Sequence, residues 1–192
     1  MNKITIPLLL AIFTSTPALA DWTLNSDAST LSFVSTKAVN VAEVSQFTSL
    51  SGGIDSSGMV EVSIALASVN TGIELRDDRM REMLFETAKF TSATMTASVD
   101  AAMLGELAVG DSMEATVNGK LALHGETSDL VMDVVVARTS DSQVLVVSKK
   151  PVVVNAQYFR LTEGIEKLRE IAGLPNISTA VPVSFVLSFD AT

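Results

Sequence analysis

Between Asp111 and His124 the sequence alternates without a break. Met113, Ala115, Val117, Gly119, Leu121 and Leu123 fall on one side, and Glu114, Thr116, Asn118, Lys120 and His124 on the other. Successive side chains of a strand point to opposite faces, so a period of two over this length fits an extended strand and no helix. Gly119 interrupts the apolar side and predicts a bend or bulge. Gly125 turns the chain, and Leu130, Met132, Val134 and Val136 resume the pattern, which makes the two segments a hairpin. The same alternation runs through Val60–Leu66, Ala93–Val99 and Val181–Phe189, and more weakly through Thr30–Lys37. Val144–Val147 is continuously apolar, and Pro151 confines the next strand to an edge or a strand start. About eight strands with one apolar face each imply one interior, most simply enclosed by antiparallel hairpins. Such a set closes into a barrel that is either filled or holds one small ligand.

Within Ser68–Met95 the period changes. Ile73, Met80, Met83 and Leu84 recur at helical spacing, and Arg76 and Asp77 fall in the same stripe. Charge on the inner side of a helix costs desolvation free energy unless it is paired or wetted, so this segment reads as a lid. Asp78, Arg79 and Glu82 read as its solvated face. A second helix is marked by Leu161, Ile165, Leu168 and Ala172, with Thr162 as N-cap, Gly173 at C′ and Pro175 beyond. It is assigned as a plug for the opposite barrel end, and Trp22 as an end plug or core aromatic. The inward positions include Ala93, Ala97, Ala115 and Gly119 beside Met95 and Met113, and the chain has only eight Phe, one Trp and one Tyr. Small residues and flexible Met leave room for a cavity, while a packed sandwich core remains the alternative.

Residues 1–20 have the form of a cleaved signal peptide, with Lys3, the apolar run Ile4–Phe13 and the small residues Ala18-Leu19-Ala20. Residues 21–192 are then a single exported domain, expected in the periplasm. The chain has no Cys, so burial alone must hold it together. The net charge of −9 argues against nucleic acid, and no later segment is apolar enough for integral membrane insertion. One His and no Cys argue against a metal centre. Neither a nucleophile elbow, a phosphate loop nor a dinucleotide fingerprint is present, so no catalytic residue and no cofactor are assigned. His124 reads as a surface or turn residue bonding near Gly125 and Thr127. Two other classes remain in view. One is an exported hydrolase using acidic residues near the lid; the other is a small outer-membrane barrel, which would need aromatic girdles.

The stretch SVNTGIELRDDRMREMLFETAKFTSATM, through Ser68, Thr71, Arg76, Asp77, Arg81 and Phe85, resembles the YceI-like, lipocalin-like family. The opening is similar to that family's through Trp22, Ser29 and Phe33, and the hairpin through Gly119, Leu121, His124, Gly125 and Thr127. Two departures are Arg79-Met80, where many members have His, and Thr91-Ser92 in place of a Pro. The resemblance implies an all-β fold, an antiparallel eight-stranded lipocalin-like barrel with two short helices as lid and plug. It also implies a non-enzymatic carrier, store or sensor. The implied partner is an apolar lipid of the polyisoprenoid, isoprenoid quinone or fatty amide type, and a homodimer is left open. On this reading the tunnel is lined by Phe33, Ile64, Leu66, Met80, Leu84, Phe85 and Met95. Ala97, Met113, Ala115, Leu121, Val134 and Phe185 complete it, with Arg76, Asp77 and Arg81 at the ligand head group or lid.

Overall fold

The computed structural model describes residues 21–192; the expected signal peptide lies outside the described residues. The chain opens with β1 (Trp22–Lys37), a single long strand with a bulge between Asn25 and Thr30. Then come β2 (Val41–Phe47), β3 (Leu50–Ile54), β4 (Met59–Ala65) and the short β5 (Val69–Asn70). A helical segment follows, α1 (Glu74–Arg79) running into a wider turn over Met80–Leu84, and after it β6 (Ser92–Ser98) and α2 (Ala101–Glu106). The second half holds β7 (Ser112–Leu123), β8 (Glu126–Ser140), β9 (Gln143–Ser148), β10 (Val152–Asn155), α3 (Thr162–Ile171) and β11 (Ala180–Ala191). All pairings are antiparallel, and β11 returns to pair with β1, which closes the wall. Counting β2 with β3, and β9 with β10, as two interrupted strands, and leaving aside the two-residue β5 that only edges β2, the wall is the expected eight-stranded barrel.

Those two interruptions divide the barrel into unlike halves. In one half β3 pairs with both β1 and β4, and β9 with both β8 and β11. The wall there is continuous except where β6 parts from β7, and the interior is packed. Leu24, Ile54, Val60, Val136, Val144 and Phe189 meet in it, with Trp22 at its end. The β6–β7 pairing stops at Ala97–Gly119. A Cβ on Gly119 would lie 2.7 Å from the Thr96 carbonyl oxygen, so only glycine permits this approach. Beyond it the chain leaves as α2, which no sequence pattern announced. Asp100 caps α2 by accepting from the Ala102 amide, Leu104 is buried, and the Arg138 guanidinium donates to the carbonyls of Leu104 and Leu107.

In the other half the wall flares. β2 keeps β1 on one edge but has only β5 on the other, and β10 pairs with β11 alone. Pro151 sits in the break before β10, at a strand start as expected. The break between β2 and β3 is held by Ser68, whose hydroxyl accepts from the Thr48 and Ser49 amides and donates to the Ala65 carbonyl. Both seams are covered by helix. The lid lies over the β2 side, and the segment Ala156–Phe159 with α3 lies over the β10 side. Thus α3 is not a plug for the opposite end; it packs on the lid itself. A Cβ at Gly164 would lie 2.6 Å from the Met83 carbonyl oxygen, so a glycine is what allows the two backbones to meet. Thr162 is the first helical residue and makes no capping bond. Gly173 does occupy C′, with φ +65°, its amide donating to Glu170 and the Leu174 amide to Arg169.

The lid helix also differs from a regular one. Ile73 precedes it in extended conformation and is 53% exposed, so it is not part of the inner stripe. After Arg79 the turn widens, and the Phe85 amide donates to the carbonyl of Met80, five residues back. One extra residue per turn brings consecutive side chains, Leu84 and Phe85, both into the interior.

Candidate functional site: an apolar cavity under the lid

The flared half encloses a cavity of about 330 Å³. Its barrel wall is drawn from Leu31 and Phe33, Val62 and Ile64, Met95, Leu121, Met132 and Phe185. Met80, Leu84 and Phe85 of the lid roof one side, and Leu161, Ile165 and Leu168 at α3 roof the other. Phe33, Phe47 and Phe85 form a chain of tilted rings, with centroids 5.4 and 5.6 Å apart, that joins wall to lid. Of the tunnel residues expected from sequence, Phe33, Ile64, Leu66, Met80, Leu84, Phe85, Met95, Leu121 and Phe185 line this cavity. Ala97, Met113, Ala115 and Val134 do not. They point inward as predicted, but at the level of the packed half, where neighbouring side chains fill the space. Alternation specifies the face of a strand and not the height along the barrel axis.

The three residues assigned to head group or lid separate in the same way. Asp77 is buried and turned away from the cavity, accepting from the amide (2.9 Å) and the hydroxyl of Thr71. Arg81 lies outside the cavity, donating to the carbonyls of Ala67 (2.8 Å) and Val69 (3.3 Å) and pairing with Asp78 at 2.7 Å. Both are fastenings that tie the lid to the strand before it. Only Arg76 lines the cavity. Its Nε donates to the Thr71 hydroxyl at 2.8 Å and one terminal nitrogen to the Thr71 carbonyl at 2.7 Å, while the other pairs with Glu43 at 2.6 Å.

Glu43 also receives Lys37 at 2.8 Å, so one carboxylate bridges two cations at the cavity mouth. The hydrogen bond from Lys37, helped by the charge of Arg76, holds the Glu43 carboxyl below the usual glutamate range despite its partial desolvation. Arg79 lines the same opening. Sequence reasoning missed Lys37, Glu43 and Arg79. The first two had a signal, since Lys37 shares the inward parity of Leu31 and Phe33, and Glu43 that of Phe47. Arg79 had one as well, since it follows Arg76 by three residues on the same helical stripe; its assignment to the solvated face is corrected by its place in the cavity lining.

His124 sits in the two-residue turn between β7 and β8, with φ +53° followed by Gly125 at +82°. It is a turn residue as expected, but its partners are others. Its side chain is nine-tenths buried against Phe90 (ring centroids 4.3 Å) and meets Glu86 at 2.7 Å. Among the described residues there is no cluster of three or more His, Cys, Asp or Glu side chains able to hold a metal ion. No helix among them is long and apolar enough to cross a membrane.

A model of the YceI-like domain matches residues 22–189. The chain belongs to the YceI-like family. Among solved structures it is similar to a polyisoprenoid-binding domain from Saccharophagus degradans implicated in plant cell wall breakdown. The two are 43% identical, with 89% of this chain and 98% of that one covered and a TM-score of 0.87. Burkholderia cenocepacia BcnA (20% identity, 86% and 98% coverage, TM-score 0.66) and the Campylobacter jejuni YCEI protein (16%, 77% and 84%, 0.57) share the fold. No curated protein matches the chain. In this YceI-like protein Phe33, Phe85 and Leu121, which carried part of the resemblance, line the cavity, while its polar residues Ser68, Thr71, Arg76, Asp77 and Arg81 are bonded to one another or to adjacent backbone. They hold the lid rather than line the tunnel, Arg76 and Thr71 doing both.

Proposed function

We propose that this protein is a periplasmic carrier, store or sensor that holds a long apolar lipid of the polyisoprenoid, isoprenoid quinone or fatty amide type in its barrel. The observation that carries the reading is the cavity itself. It has the size of a small-molecule site, lies under a two-helix roof and is walled almost wholly by aliphatic and aromatic side chains. Each methylene moved from water into such a space contributes about 0.8 kcal/mol, so a tail gains affinity without polar readout. The Saccharophagus domain, at 43% identity, is described as polyisoprenoid-binding, which supports a binding protein over an enzyme. Export rests on the form of residues 1–20.

The test is to purify the secreted protein, extract it with organic solvent and identify lipid by mass spectrometry, then to offer polyprenols, quinones and fatty amides to stripped protein. A stoichiometric apolar lipid is expected. Repeated recovery of none, with no uptake of any offered lipid, would sink the reading.

A further inference from the structure

Exposed apolar side chains gather around the opening of the cavity from three separate segments. Val39 stands at the β1–β2 tip, where its amide donates to the Asn176 side chain, next to the cavity-lining Ile177. Val41 pairs with the cavity-lining Lys37 and shares the inward parity of Glu43. On α1, Leu75 lies one helical turn before Arg79, and on α3 Ile171 lies one turn after Leu168. Arg79 and Leu168 line the cavity, while Leu75 and Ile171 are exposed. Single exposed apolar residues are ordinary, but a ring of them around an apolar opening marks an interaction surface.

Charge divides along the same axis. The turns and ends of the packed half hold Asp21, Asp55, Asp100, Glu106, Asp111 and Asp141. Among the described residues Arg138 is the cation there, and its guanidinium is taken up by backbone carbonyls. The exposed Met59 and Val109 of that end sit in turns with Asp55 and Asp111. At the flared end cations and carboxylates pair instead: Lys37 and Arg76 with Glu43, Arg81 with Asp78, Arg160 with Glu126 and Lys167 with Glu163. The negative charge of the chain, net −9, is thus concentrated away from the mouth. A water-insoluble tail has almost no free concentration from which to load, so it passes between cavity and bilayer while the two touch. A bilayer interface accepts aliphatic side chains, and its anionic lipids repel the acidic end, which turns the flared end toward it. We propose that the rim of Val39, Val41, Leu75 and Ile171 docks on a lipid bilayer surface and sets the open mouth against it. This rests on the barrel being a lipid site, and names the surface from which that site is filled.

The chain has no Cys, so one reporter can be attached at a time. A fluorophore on Leu75→Cys should be quenched by nitroxide-bearing acyl chains in vesicles of phosphatidylethanolamine and phosphatidylglycerol, and the same label on Met59→Cys should not. The double variant Val39→Asp, Leu75→Asp should take up a polyprenol from those vesicles at least about tenfold more slowly than the parent. Asp is tolerated both in a left-handed turn and in the first turn of a helix, so the fold should hold. Uptake of the same polyprenol delivered in detergent should be unchanged, which separates docking from the cavity. Equal quenching of the two labels, or unaltered vesicle uptake by the double variant, would overturn the docking surface and leave the lipid site standing. A parent dimer that the two substitutions split, with no vesicle binding, would assign the rim to a second copy of the chain. Failure to take polyprenol from either source would remove the lipid site and the docking proposal together.

Discussion

The two halves of this barrel share eight strands and one inward face, and differ in almost everything else. In the packed half the start of β1 pairs with the end of β11, the interior is filled, and Val144, Ser188 and Phe189 are essentially unexposed. In the flared half two strands break, the seams are roofed by helix, and a cavity remains. Backbone strain follows the same division. Every described non-glycine residue with positive φ lies at the flared end: Ala38 and Val39 at the β1–β2 tip, Glu86 after the lid, His124 in the β7–β8 turn and Arg160 before α3. In the packed half the positive φ values belong to Gly52 within β3, Gly58 and Gly110. Strained backbone persists only where its surroundings hold it, and it gathers where a fold is shaped for something other than stability. At the β1–β2 tip the holding group is Asn176, which accepts from the Ala38 and Val39 amides through its carbonyl and side-chain oxygens.

The largest expected effect contrasts one inward alanine from each half. Ala97→Phe adds a ring where the interior is filled and should destabilise by about 1–3 kcal/mol, read from denaturant unfolding. Ala93→Phe projects into the cavity lining, and should cost far less stability while abolishing lipid retention. If both variants behaved alike, the division into a packed and a hollow half would be wrong.

A smaller effect concerns the strain. Val39 is 76% exposed with φ +74°, in the three-residue turn Ala38–Asn40, a backbone conformation that favours glycine. Val39→Gly should raise the unfolding free energy by up to about 1 kcal/mol, the amount a β-branched residue forfeits in this region after allowing for glycine's entropy. No gain would show that the turn relaxes without cost, and that strain does not distinguish the two ends.

The smallest effect is electrostatic. The Glu43 carboxyl is depressed in the folded protein, so the folded state binds fewer protons than the unfolded chain as pH falls. Its contribution is complete above the ordinary glutamate value and disappears as pH drops through the folded one. Because the pair is about one-third exposed, the contribution is under about 1 kcal/mol. A Glu43→Gln variant should therefore be slightly less stable than the parent at pH 7 and equal to it near pH 2. A constant difference across that range would assign the effect to packing instead.

Much of the architecture was legible in the residues. The runs Val60–Leu66, Asp111–Leu123 and Val181–Phe189 declare their strands and their inward faces because side-chain direction is a local property of extended backbone. Glycine at 125 and 173 marked a turn and a helix end for an equally local reason, the missing Cβ. Other features were decided only by tertiary structure. Ala97 and Ala93 have the same parity and nearly the same neighbours in sequence, yet one is packed core and the other cavity wall, because height depends on strand stagger and on breaks opposite. The pairing of α3 with the lid, the tie of Arg81 to the Ala67 and Val69 carbonyls, and the meeting of Arg76 with Glu43 all arise from contacts between separate segments. Periodicity repeats identically along a strand and carries no record of which end will be left open.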